Sequence, residues 1–79
     1  METTMRLEAL FVSALQPSDH ADARRIHAAV ARAIYEYGEL GCAARVAQEF
    51  GDHPDTAVMR MGWVRQTIDA TEGLYALAA

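Results

Sequence analysis

The chain has 79 residues, of which 52% are apolar and 23% are charged, and its formal charge at pH 7 is −4. This composition excludes a disordered chain, and the length allows one small domain. The acidic balance argues against strong non-specific nucleic-acid binding, because neutralising phosphates is the main source of that affinity. No apolar run approaches the roughly 20 residues that a bilayer-spanning helix needs.

The cysteine content and the N-terminus indicate the cellular compartment. Cys42 is the single cysteine, so no internal disulfide forms and a reducing cytoplasm is the expected location. Glu2 and Glu8 stand where a signal peptide would carry basic residues, and an amphipathic helix explains this segment better. On folding, a chain this short buries only about 60–65% of the surface that it exposes when unfolded. We therefore expect it to bury further surface against a partner or a second copy.

The first third of the chain predicts one helix and a break. Apolar residues recur at steps of three and four, which indicates a helix over about residues 4–16 after a threonine cap. A strand from Leu10 to Ser13 is the alternative, because Leu-Phe-Val also suits extended backbone. The pattern then stops, and Ser18 or Asp19 is the expected N-cap of the next helix.

The rest of the chain continues with helical periodicity. Gly38 is suited to end the second helix, because glycine tolerates a left-handed conformation. Gly51 closes a short third helix, and Pro54 suits the start of the fourth because its missing amide proton would go unused there. The predicted fold is a single all-α domain over residues 1–79, with four helices at about 4–16, 20–37, 42–50 and 55–71 and a tail at 73–79.

The segment from Arg45 to Gln66, "RVAQEFGDHPDTAVMRMGWVRQ", carries a resemblance. Val46 and Ala47 occupy the packing positions of a first helix, Phe50 and Gly51 its end, and Thr56 the start of a second helix. Over about residues 43–65 the chain resembles the helix-turn-helix of the C-terminal region of bacterial sigma factors and of LuxR-type regulators. The fold expected at 42–71 is therefore a helix-turn-helix-like hairpin.

Physical reasons accompany this pattern. Ala47 is small, as a close crossing of two helices requires, and Gly51 has the backbone freedom for a tight turn. The second helix carries an apolar stripe at steps of four, three and four that would dock on the first: Ala57, Met61, Val64 and Ile68.

The resemblance implies a transcription-associated regulatory module that binds DNA. The helix that starts at Thr56 would lie against DNA. Arg60, Arg65 and Gln66 would make the contacts, and Thr56 and Arg45 would face phosphates.

Departures from the family pattern favour a second function. Asp52 stands where these families usually carry an apolar residue that packs into the core. On the outward side of the second helix, Val58, Met59 and Trp63 lack the hydrogen-bond donors that base edges require. An apolar cluster with tryptophan beside arginine is typical of protein-binding hot spots. The rival prediction is therefore a protein-interaction module. It would form a homodimer or bind a larger partner through Val58, Met59 and Trp63, or it would act as an acidic inhibitor through residues 19–39. Alternatively, Trp63 packs inside the chain.

Catalytic and metal chemistry find little support in the sequence. His20 and His27 would lie about 10 Å apart on a helix, too far to share one ion whose ligands lie about 2 Å away. Cys42 opens the predicted short helix, where amide dipoles could lower its pKa, but no catalytic partner accompanies it. We expect no enzyme activity, no metal and no cofactor.

The C-terminal letters "LYALAA" are similar to the end of the bacterial tmRNA-encoded tag that the ClpXP unfoldase and protease reads. An alanine-rich chain also produces such an ending by chance, which is the favoured interpretation. Recognition by ClpXP is the alternative.

Overall fold

The computed structural model describes the backbone of residues 2–78 and the side chains of residues 2–73. Its three α-helices are α1 (Thr3–Val12), α2 (Ala23–Asp52) and α3 (Pro54–Ala78), with a 3₁₀ turn at Pro17–Asp19. The described backbone contains no strand, so the all-α prediction is confirmed and the alternative strand is wrong. In this part of the chain, no helix combines the length and apolar character that crossing a membrane requires.

The ends of α1 are set by two short-range hydrogen bonds. The Glu2 carboxylate accepts from the Thr4 amide at 2.8 Å, so an acidic residue caps the helix in place of the predicted threonine. At the other end, Ser13 Oγ donates to the Leu10 carbonyl at 2.7 Å. Because such a side chain competes with the backbone for its hydrogen bonds, α1 ends at Val12, earlier than predicted.

The start of α2 is also displaced from its predicted position. Asp22 is the N-cap, and its carboxylate accepts from the Arg25 amide at 2.9 Å. The prediction of Ser18 or Asp19 is wrong, because Asp19 instead accepts from the Gln16 amide at 2.8 Å within the 3₁₀ turn.

Gly38 bends α2 into two arms. Its φ of 72° is positive, as predicted, and with a ψ of 171° it lies in a region essentially restricted to glycine. Helical backbone resumes at the next residue. The predicted helices at 20–37 and 42–50 therefore correspond to the two arms of α2, although no linker separates the arms, and the described backbone has three α-helices where four were predicted.

A single non-helical residue, His53, links α2 to α3. Its amide donates to the Glu49 carbonyl at 2.7 Å, and its carbonyl accepts from the Ala57 amide at 2.9 Å. Pro54 begins α3, as predicted. Gly51 lies inside α2 without a positive φ, so its predicted role in a tight turn is wrong. The helix-turn-helix motif usually has a link of about three or four residues, and this link is shorter.

All three helices contribute to one core, and α1 lies against both of the others. The predicted α3 stripe is confirmed: Ala57, Val64 and Ile68 are buried and Met61 is partly buried. Ala47, in contrast, is exposed, because Cys42 and Val46 carry the buried stripe one turn apart on α2. The radius of gyration is 12.1 Å, close to the roughly 12 Å of a compact chain of this length.

The predicted end of the last helix at 71 is wrong, because the backbone of α3 continues through most of the predicted tail at 73–79. The backbone is helical to Ala78, and side chains are described only to Gly73. ClpXP recognition of this tail therefore stays a prediction.

We predict that Gly38→Ala lowers the free energy of unfolding by about 1–3 kcal/mol, because any Cβ strains this backbone conformation. No atom lies within 4 Å of the position that a Cβ would take, so the loss is one of backbone strain alone. Gly51→Ala is the matched control: the site is helical and equally open, and alanine should stabilise it by about 0.5–1 kcal/mol. Urea unfolding followed by circular dichroism measures the free energy of unfolding of both variants. Equal effects of the two substitutions would contradict the strained backbone conformation at Gly38.

Candidate interaction face on the third helix

Arg60 on α3 binds the end of α1 with its guanidinium group. Nε donates to the Phe11 carbonyl at 2.7 Å, and Nη2 donates to the carbonyls of Ser13 and Leu15 at 3.1 and 2.9 Å. Nη1 donates to Gln16 Oε1 at 3.4 Å. Arg60 therefore holds together the carbonyls that are exposed where the chain leaves α1.

These contacts have a clear physical basis. The last turn of a helix leaves carbonyls without partners and carries partial negative charge, so a cation there is stabilising. The rings of Phe11 and Trp63 lie 5.7 and 5.1 Å from the guanidinium carbon and cover it. Burial lowers the pKa of Arg60 from its ordinary value, although a guanidinium stays charged at neutral pH.

The arrangement weakens the prediction that Arg60 contacts DNA. Four of its five N–H groups are directed to oxygens of this chain, and a bidentate contact to a base would require breaking at least one of those bonds. One sequence signal pointed to this role: Arg60 lies three residues after Ala57 and four before Val64, so it borders the inward stripe.

The solvent side of α3 forms a distinct surface, which we call the α3 face. Val58 and Met59 are 62% and 77% exposed, in the outward positions that the helical period predicts. The α3 face consists of Asp55, Val58, Met59, Gly62, Arg65, Gln66 and Asp69, all of them exposed.

Trp63 belongs only in part to the surface. It is half-buried and packs against the core, and it borders a groove of about 510 Å³ beside the 3₁₀ turn. The interpretation in which this ring packs within the chain is therefore the one that the structure favours.

The predicted DNA-contacting residues are not all brought together. Arg65 and Gln66 share the α3 face, and Thr56 is exposed at the start of the same helix. Arg45 lies on α2, where its guanidinium carbon stacks 3.9 Å from the centre of the Tyr37 ring. On the α3 face, the carboxylates of Asp55 and Asp69 outnumber the one guanidinium of Arg65, so this surface is not basic.

Cys42 is fully buried, and its Sγ donates to the Ala33 carbonyl at 3.7 Å. Burial raises the pKa of this thiol, and the negative charge of Glu8 raises it further. The suggestion that helix dipoles lower the pKa is therefore wrong. The residues described here include no cluster of three or more histidine, cysteine or acidic side chains that could hold a metal ion.

Comparisons with known proteins supply no relative: the chain matches no family model, no curated protein and no solved structure. The helix-turn-helix resemblance over residues 43–65 stays a prediction.

We predict that Arg60→Ala lowers the free energy of unfolding by about 2–4 kcal/mol, because several carbonyls lose charge-assisted hydrogen bonds. Arg60→Lys should recover only part of this loss, since an ammonium group cannot reproduce the planar fork of donors. Arg65→Ala is the matched control on the exposed side and should stay within about 0.5 kcal/mol of the wild type. If urea midpoints of the two alanine variants coincide, Arg60 does not stabilise the fold.

We also predict that Cys42 reacts with Ellman's reagent on the order of 100-fold more slowly in the folded chain than in urea, because exposing it requires opening the core. Glutathione serves as the exposed-thiol control. Burial raises the pKa of this thiol above the value of about 8.5 that it has in the unfolded chain. Its contribution to the free energy of unfolding is therefore fully present below about pH 8.5 and declines as the pH rises. Equal rates in the folded and unfolded states would contradict the burial of Cys42.

Proposed function

We propose that this chain is a small, non-enzymatic regulatory module that binds proteins through the α3 face. The supporting observation is that Val58 and Met59 are 62% and 77% exposed while the neighbouring Arg60 is engaged within the chain. Neighbouring apolar side chains on a surface are a feature of interaction sites. Methionine suits such sites because its flexible side chain adapts to a partner.

Electrostatics support a protein over DNA as the ligand. Reading base edges requires donors and acceptors along one helix face, and the α3 face offers Arg65 and Gln66 for this purpose. The carboxylates of Asp55 and Asp69 would approach phosphates and repel them. An arginine beside an apolar pair, in contrast, is a frequent composition at protein interfaces.

Transcription-associated DNA binding is the second candidate. It is favoured by the exposure of Thr56, Arg65 and Gln66 along α3, where the resemblance places a recognition helix. Arg45 would then contact phosphate from α2. For either candidate, the single buried Cys42 is consistent with a proposed location in the reducing cytoplasm.

A capture experiment with matched baits tests the proposal. Wild type, Met59→Glu and Thr56→Ala are immobilised and exposed to lysate of the source cells, with and without nuclease. Both substituted sites are exposed, so each variant should keep its stability within about 0.5 kcal/mol. We expect proteins that wild type and Thr56→Ala retain after nuclease treatment and that Met59→Glu loses.

Fluorescence anisotropy with a mixed-sequence DNA duplex tests the second candidate. We expect no binding at about 150 mM salt, given the acidic α3 face. Binding that weakens steeply with salt and is lost in Arg65→Ala, together with capture that Met59→Glu does not change, would overturn the protein-binding proposal in favour of DNA.

A further inference from the structure

The α3 face has the spacing of a coiled-coil seam. Five of its residues follow one another at steps of three, four, three and four, and all five are exposed: Asp55, Val58, Gly62, Arg65 and Asp69. This alternation is the a and d pattern that aligns side chains toward a second helix. No element within the described residues covers this line.

The middle of the seam has a projection and a space. Val58 projects at 62% exposure, and one turn later a Cβ at Gly62 would meet no atom within 4 Å. A glycine inside a helix lowers stability by about 0.5–1 kcal/mol relative to alanine. At Gly62 the missing side chain would allow another chain to approach closely, which offsets that cost. A valine from a second α3 has the size to fill the space.

The charges along the seam match one particular pairing. Two antiparallel α3 helices related by a two-fold axis near the level of Arg60 would bring Val58 opposite Gly62 of the second copy. In the same register Asp55 lies opposite Arg65 of the second copy. Each contact occurs twice because a two-fold interface uses the same surface on both chains.

Two other pairings of the same seam bring like charges together. An axis at the level of Gly62 sets Asp55 opposite Asp69, and a parallel pair sets each residue opposite itself, including Arg65. Like charges placed face to face cost several kcal/mol at an interface. Of these three pairings, charge complementarity favours the antiparallel register centred near Arg60.

We propose that a second copy of this chain occupies the α3 face and forms this antiparallel two-fold pair. The inference rests on the proposed function and specifies its partner. Met59 and Gln66 flank the seam, at positions that cover the edge of such an interface.

Sedimentation equilibrium with reciprocal charge exchange tests the pair. At about 100 µM we expect the wild type to be dimeric. Arg65→Asp and Asp55→Arg should each raise the dissociation constant at least about tenfold, because each creates two like-charge contacts. The double variant should return to within about threefold of the wild type. Such a return cannot come from a general effect on folding, because the double variant carries both substitutions.

Asp69→Arg is the matched control, because in the proposed register Asp69 lies outside the paired part of α3. It should leave the dissociation constant unchanged, whereas tighter association would indicate the register centred at Gly62 and overturn the proposed one. A wild type that stays monomeric, or a double variant no better than the singles, also overturns the inference. Neither result affects the proposed function, which the Met59→Glu capture experiment decides separately.

Discussion

The guanidinium of Arg60 joins the end of α1 to the second turn of α3, and much of the structure depends on this contact. With 10 residues, α1 is shorter than the roughly 12–15 residues at which an isolated helix becomes marginally stable in water. Tertiary contacts must therefore stabilise α1. These are the burial of Leu10 and Phe11 and the hydrogen bonds that Arg60 donates to carbonyls at the end of the helix. Because this arginine is directed inward, the opposite side of α3 is left with an apolar pair and few donors.

Gly38 supplies the second constraint, which is one of length. A straight helix of 30 residues would extend about 45 Å, whereas the longest dimension of the chain is 39 Å. The bend at Gly38 lets both arms of α2 direct their apolar residues to the same core, Ile26 and Val30 from the first arm and Cys42 and Val46 from the second. His53 then links α2 to α3 within one residue, and Ile68 of α3 lines the same groove as Ile26 and Val30 of the first arm.

Features that depend on local spacing could be predicted from the sequence. The buried stripe of α3, the outward position of Val58 and Met59, and the break at Gly38 all follow from helical period or from glycine's backbone freedom. The caps were harder to predict, because Ser18, Asp19 and Asp22 are all chemically suited, and the hydrogen bond of Asp19 within the 3₁₀ turn is a contact that the sequence does not show. The position of Arg60 beside the inward stripe follows from helical period, but its bonding partners could not be predicted, because they depend on where α1 ends and lie up to 49 residues away in the chain.

The central claim is that the guanidinium of Arg60 is hydrogen-bonded to carbonyls of its own chain. The α3 face is then available to a protein partner. Nuclear magnetic resonance of the arginine Nε–H groups tests this claim most directly, with the exposed Arg65 as the internal comparison. We expect the Arg60 Nε–H to exchange slowly with solvent at neutral pH and to keep its chemical shift when a DNA duplex is added, while that of Arg65 exchanges fast. An Arg60 signal that exchanges as fast as that of Arg65 and shifts on addition of DNA would contradict the account.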